Sequence, residues 1–280
     1  MVVEREALPL GPYRMPGAGR DGVLLRRGEA LVRLLHVEGE PAVVHAWGSR
    51  SGVRLHSEAP TREAAEAAIG RMRFALGVDY DLTDFQRRFR RDPLIGHVVR
   101  RQPWLRPRRR PEPFEALAWA ICEQLIESGR AARIQRKLVR RFGAPSACGT
   151  LRDVPSAAKL AGRAPAELAA CGLAPKRCIA MVKAAREVAS GRADLVRSHE
   201  HAWRRLRTIP NVGSWTLEKL AFEGQGRDDQ IPAGDLAYVK LVGRLAGLGR
   251  RATEDEVRAF FAPYEEFAGL AGVYALRIPS

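Results

Sequence analysis

Cysteine is scarce in this chain: Cys122, Cys148, Cys171 and Cys178 are the four among 280 residues. No two share a C-x-x-C spacing, so zinc or iron–sulfur ligation has no support from spacing. Reduced, structural thiols are expected. Long hydrophobic runs are missing too. No stretch approaches the roughly 20 apolar residues that a membrane helix needs. Residues 1–11, MVVEREALPLG, lack the basic start and apolar core of a secretion signal. A cytoplasmic location with no membrane partner is therefore expected. Acids are in deficit, 32 against 47 Lys and Arg, which gives a formal charge of +15. A globular chain this basic usually meets a polyanion, although an arginine-rich but merely soluble surface gives the same balance. Nothing resembles a nucleotide-binding glycine loop, which ranks an ordinary metabolic enzyme last.

What is present is a hydrophobic fraction of 46%, enough for one or two packed cores. Residues 1–60 hold short apolar runs, Val23-Leu24-Leu25, Ala30 to Leu35 and Ala42 to Trp47, punctuated by Gly28-Glu29 and Gly39-Glu40-Pro41. This strand-and-turn pattern predicts a small antiparallel sheet. Thr61 is placed to cap a helix from Arg62 to Leu76. From about residue 80 the period becomes helical. Phe114, Leu117, Ala118, Ile121 and Leu125 form one apolar face after Pro113. The fold class expected is mainly α with a small N-terminal α+β domain. The boundaries are 1–78 for the sheet and its helix, and 79–280 for an all-helical bundle of about eight helices.

Residues 203–245 carry the most information. A helix ends at Ile209-Pro210-Asn211-Val212-Gly213, and the next begins near Ser214. Asn211 and Gly213 tolerate positive φ, and Ser214 is a residue type that caps helices. Such a hairpin aims backbone N–H groups at a DNA phosphate. An ordinary helix–turn–helix corner looks the same. Downstream, Gln230-Ile231-Pro232-Ala233-Gly234-Asp235-Leu236 delivers Asp235 to the start of an apolar helix. A simple capping aspartate fits that position as well.

Taken together these segments resemble the helix-hairpin-helix, Gly/Pro-Asp (HhH-GPD) DNA glycosylase superfamily. The hairpin Ile209 to Thr216 is similar to its L-P-G-[IV]-G-x-x-[TA] pattern. Residues 114–126 (FEALAWAICEQLI) are similar to its F-E-x-L-x-x-x-I-x-x-Q-Q-[VIL] helix. Residues 168–185 are similar to its Gly-turn and following helix. The branch most resembled is DNA-3-methyladenine glycosylase II (AlkA-like), over most of residues 75–280.

That resemblance implies two helical subdomains with the active-site cleft between them. Its site would contain Asp235 as the catalytic carboxylate. A base pocket would be formed by Trp215, Lys219, Tyr264, Gln124, Glu123 and Leu236. Leu125, with Ile126 beside it, would be the wedge that fills the hole left by a flipped base, though Leu125 also continues the apolar stripe. The DNA-binding hairpin would comprise Pro210, Asn211, Val212, Gly213, Ser214 and Thr216. Backbone carbonyls of Arg207, Ile209 and Val212 would seat a structural Na+ or K+. No organic cofactor and no iron–sulfur cluster are implied.

The partner implied is double-stranded DNA containing damaged bases, met by a monomer in the cytoplasm at the nucleoid. Where bifunctional members carry a lysine nucleophile, this chain has Trp215, so a monofunctional glycosylase is expected. Lys219, Leu236 and Glu123 depart from the aromatic pocket of the alkylation branch. They leave open a glycosylase for deaminated or oxidised purines, or a non-catalytic DNA-binding module. The arginines at 87, 88, 90, 91, 100, 101, 106 and 108–110 are candidates for phosphate contacts, or a solvated face.

Overall fold

The computed structural model describes residues 1–279. Its N-terminal part is a five-stranded antiparallel sheet in the order β1-β5-β4-β3-β2. The strands are β1 Val2–Ala7, β2 Leu25–Arg27, β3 Ala30–Val37, β4 Glu40–Gly48 and β5 Val53–Glu58. The β3–β4 turn is Glu38-Gly39, both at positive φ (51° and 91°), the backbone that a two-residue hairpin needs to match strand twist. Strands β1 and β5 were not anticipated. They pair with each other from Val2↔Glu58 to Ala7↔Val53, and their charged residues obscure the alternation.

Helix α1, Arg62–Leu76, has the predicted bounds. Thr61 Oγ1 accepts from Ala64 N, and Gly77 ends the helix at φ 66°. Ala65, Ala68, Ile69 and Met72 of α1 are buried against Leu31, Leu35, Val44 and Leu55 of the sheet. That burial stabilises the small layer at roughly 25 cal/mol per Å² of apolar surface.

The rest is helical. Instead of about eight helices there are twelve α-helices after α1: α2 Thr83–Phe89, α3 Gly96–Arg101, α4 Pro113–Glu123, α5 Ser128–Phe142, α6 Ala157–Ala161, α7 Pro165–Ala169, α8 Pro175–Ala189, α9 His199–Arg207, α10 Ser214–Lys219, α11 Leu236–Leu245, α12 Glu254–Phe261 and α13 Ala268–Ala275. Helices such as α6 and α7 are only five residues long, too short for a 3.6-residue period to register. They pack into two cores. One gathers α4, α5 and α8 around Trp119, Leu138 and Met181. The other gathers α2, α3 and α11–α13 around Phe85, Ile95, Phe261 and Tyr274.

Buried charge joins sheet to helices. Glu115, on the first turn of α4, is 1% exposed and receives Arg33 of β3 and Arg110. Arg110 also meets Asp21 at 2.7 Å, and the Trp119 indole donates to the same Asp21 carboxylate at 3.1 Å. Arg109 is 5% exposed, paired with Asp228 and packed over Phe222. Arg109 and Arg110 are thus interior ties and not a DNA-facing surface. Arg88 is held by Glu265 and Glu266, and Arg106 donates to the carbonyls of Pro12 and Trp104.

Candidate active site

Helix α4 begins with Pro113, which presets its first turn, and ends at Gln124. Its last carbonyls are not left bare. Arg177 of α8 donates to Cys122 O (3.1 Å) and Gln124 O (2.8 Å). Just beyond, Leu125 sits at φ 53° with its side chain wholly exposed (103%). A γ-branched residue in the left-handed region, facing water, is strained by about 1 kcal/mol or more. Ile126 beside it packs against the first core. The pair therefore splits: Leu125 projects and Ile126 anchors.

The side-chain amide of Gln124 is spent on the hairpin. Nε2 donates to Asn211 O (2.7 Å) and Thr216 Oγ1 (2.8 Å). The exposed Leu125 is thereby fixed relative to the α9–α10 hairpin. In that hairpin Asn211 adopts φ 68°, as its residue type allows. Gly213 does not use its freedom: at φ −101° it is extended, and it is the N-cap of α10. Ser214 is the first helical residue and not the cap. Its hydroxyl donates instead to Glu254 Oε2 at 2.9 Å. Ile209 and Val212 are buried and hold the turn down, while Pro210, Asn211 and Gly213 stay exposed. The N–H groups at the start of α10 therefore face outward.

The Pro/Gly loop closes the other side. Asp235 N donates to Pro232 O (2.9 Å), and Ala233 N donates to Glu218 (3.1 Å). Asp235 caps α11, its Oδ1 accepting from Ala237 N at 2.9 Å. That leaves Oδ2 free of protein hydrogen bonds among the described residues. Leu236 follows, half exposed. Between loop, hairpin and α4 lies a cavity of about 830 Å³ lined by Glu123, Gln124, Leu125, Trp215, Asp235 and Leu236, among others. It lies between the two helical cores, with α4 and α10, whose Ile121 and Leu217 belong to the first, on one side, and α11, whose Tyr238 and Val239 belong to the second, on the other.

Behind Trp215 lies an ionic cluster. Lys219 Nζ is 5.4 Å from the Trp215 ring centroid, 2.6 Å from Glu123 Oε2 and 3.0 Å from Glu223 Oε1. Burial alone would lower the Lys219 pKa, but the two carboxylates outweigh it and hold the ammonium well above its ordinary range. Burial would raise Glu223, yet Lys219 and Arg110 pull it below the usual carboxylate range. Glu223 reaches this place because residues Leu220–Gly224 form a π-turn, a rare helical widening common at functional sites. Gly224 lets that turn touch α4: a Cβ there would meet Ala116 Cβ at 2.7 Å.

The sequence reading missed Glu223 and Gln135, which donates to Glu123 Oε1 at 3.0 Å. It also missed Tyr238, buried one turn into α11 with its hydroxyl pushed up by burial and by the charge of Asp235. The i, i+4 spacing of Lys219 and Glu223 is the one sequence signal that could have found that pair. Tyr264, in contrast, is not brought to the cavity. It is 6% exposed, stacks against Phe89 and Phe261 and donates to Asp92 at 3.1 Å. It is a core residue, where an aromatic with a satisfied hydroxyl is at home.

The family model for HhH-GPD superfamily base excision DNA repair proteins matches residues 118–266, which takes in the hairpin, the Pro/Gly loop and the last turns of α4. The chain belongs to this superfamily. It is similar to a DNA-3-methyladenine glycosylase of Bacillus subtilis, 26% identical over 207 residues, 72% of this chain and 68% of the relative. It is also similar to a probable bifunctional transcriptional activator/DNA repair enzyme AlkA of Mycobacterium tuberculosis. That match is 30% identical over 65% of this chain and spans 37% of the longer relative. Among solved structures, a 3-methyladenine DNA-glycosylase from Archaeoglobus fulgidus shares the fold with a TM-score of 0.78. It is 20% identical, and 99% of this chain and 97% of that one are covered. The fold shared with that structure takes in the sheet ahead of the helices as well as the two helical bodies.

Proposed function

We propose that this base excision repair protein is a monofunctional DNA glycosylase acting on damaged duplex DNA, with alkylated purines as its substrates. The observation that carries the reading is Asp235: a carboxylate at a helix N-cap, sharing one cavity with Trp215 and the projecting Leu125. Leu125 enters the stack as a base leaves it, and the outward N–H groups of α10 hold a phosphate. N-glycosidic cleavage passes through an oxocarbenium-like sugar, whose positive charge the Asp235 carboxylate stabilises while orienting water.

The amine beside this cavity, Lys219, is held as an ammonium between two carboxylates. It has no free lone pair to form a Schiff base, which supports base release without strand cleavage. The carbonyls of Arg207, Ile209 and Val212 are the proposed seat of a monovalent cation. Ile209 O accepts one hydrogen bond, from Val212 N at 3.0 Å, and keeps a second lone pair for it.

The test is single-turnover excision from duplexes carrying one alkylated, deaminated or oxidised base, with and without alkali. Strand breaks should need alkali, and Asp235→Asn should lower the rate by about two orders of magnitude or more. Breaks without alkali, or an unaffected Asp235→Asn variant, would refute the proposal.

A further inference from the structure

The chain carries a formal charge of +15, yet its candidate base cavity has the opposite sign. Four carboxylates line it, Glu123, Glu127, Asp235 and Glu254, against one guanidinium, Arg251. A cavity meant only for a DNA phosphate would not be built this way, because carboxylates repel phosphate. The phosphate-facing element is the hairpin, at the rim. The interior instead suits a group with positive charge.

Glu123 is the carboxylate whose position is most constrained. Its Oε2 takes Lys219 Nζ at 2.6 Å and its Oε1 takes Gln135 Nε2 at 3.0 Å. Gln135 is 3% exposed and Lys219 is 13% exposed, so both holders are themselves fixed. A carboxylate offers about four acceptor positions. Two are used here, which leaves one on each oxygen, and the side chain keeps 23% of its surface exposed. The neighbouring Gln124 is unable to do the same work, since its amide is committed to Asn211 and Thr216. Nor does the Lys219 ammonium cancel the charge. It is shared between Glu123 and Glu223, and Arg110, the other cation on Glu223, is itself matched by Asp21 and Glu115.

We propose that Glu123, oriented by Lys219 and Gln135, is the specificity-determining residue of this cavity, selecting bases that are cationic and present two adjacent N–H donors. This deepens the glycosylase reading and rests on it. A guanine alkylated at N7 has both properties: a delocalised positive charge, and N1–H beside the exocyclic N2–H₂ group. Two parallel charge-assisted hydrogen bonds to one carboxylate are among the strongest polar contacts a site can make. An adenine-type base offers an N–H₂ group beside the N1 lone pair, which faces the carboxylate unfavourably. Hypoxanthine offers a single N–H and no charge. Trp215 supplies the stacking face for the cation.

The test compares single-turnover release of N7-methylguanine and of hypoxanthine from otherwise identical duplexes. The enzymes are the unaltered protein, Glu123→Gln and Asp235→Asn. Glu123→Gln keeps the shape and replaces one acceptor by a donor. The unaltered protein should release N7-methylguanine at least about tenfold faster than hypoxanthine. Glu123→Gln should lose most of that ratio, at least about tenfold, while affinity for an abasic duplex stays within about twofold. Asp235→Asn should slow both releases alike.

A ratio that Glu123→Gln leaves intact, or an unaltered protein that favours hypoxanthine, overturns the role of Glu123 and leaves the glycosylase reading standing. If no base is released at all, the glycosylase reading fails, and a binding titration then decides the role of Glu123. In that titration, followed by calorimetry, 7-methylguanosine should bind more tightly than guanosine, and Glu123→Gln should erase the difference. Equal affinities of the two nucleosides overturn the proposal.

Discussion

Replacing Glu115 by methionine should cost this protein a sizeable share of its stability without touching the cavity. The carboxylate is 1% exposed and stands between two guanidiniums, Arg33 at 4% and Arg110 at 8% exposure. Removing one partner from a buried ionic cluster destabilises by about 3–5 kcal/mol, because the charges left behind are uncompensated. The lower end applies here. Arg33 retains Asp153 at 4.0 Å, and Arg110 retains Asp21 at 2.7 Å and Glu223 at 3.6 Å. At about 2–4 °C per kcal/mol for a chain near this size, the expected fall in Tm is about 6–12 °C. Thermal unfolding followed by circular dichroism at pH 7.5 measures it. Being buried, the deficit should be the same at 0.1 and 0.5 M salt, where surface pairs are screened. A fall of less than about 2 °C, or one that disappears in salt, would refute the idea that this cluster fastens sheet to helices.

Two further outcomes follow from the geometry. Leu125→Gly relieves a left-handed backbone at a fully exposed side chain. It should therefore raise Tm slightly, by about 1–3 °C, while slowing base release about tenfold or more through loss of the wedge; effects of the same sign would count against the wedge. In the Lys219–Glu223 pair the lysine is raised and the glutamate lowered. Its stabilisation is thus full between about pH 4.5 and 10.4, lost below as Glu223 takes up a proton and lost above as Lys219 gives one up. Melting curves of Lys219→Met against the unaltered protein should show a constant deficit from pH 5 to 9 that shrinks toward pH 4.

Much of this arrangement was legible in the chain because it is local. Thr61 and Gly77 bracket α1, Asn211 bends the hairpin, and Asp235 opens α11 after Pro232 and Gly234. Each is a short-range preference that no tertiary contact overrides. What stayed hidden depends on distance. Strand β1 exists because β5 lies beside it, about fifty residues away. Gln135 reaches Glu123 only because α5 packs against α4, and Glu223 reaches Lys219 only because the chain widens into a π-turn against Pro113 and Ala116. Tyr264 is the converse case. Its position resembled that of a pocket aromatic in the family, but the 3₁₀ segment Ala262–Phe267 turns it into the second core. Arg109 and Arg110 misled for the same reason: charge in a sequence says nothing of which guanidiniums meet carboxylates inside.

The backbone at Leu125 bears on how such a protein searches a genome. The side chain already projects, and Gln124 and Arg177 hold the turn that carries it. If Leu125 is the wedge proposed above, the conformational work of presenting it is done at folding and not repeated at each encounter. On that proposal, for a protein held on DNA by phosphate contacts, the barrier to testing a base pair would be set mainly by the duplex. Sites weakened by a lesion open soonest, and discrimination begins as a difference in DNA stiffness before the cavity has touched a base.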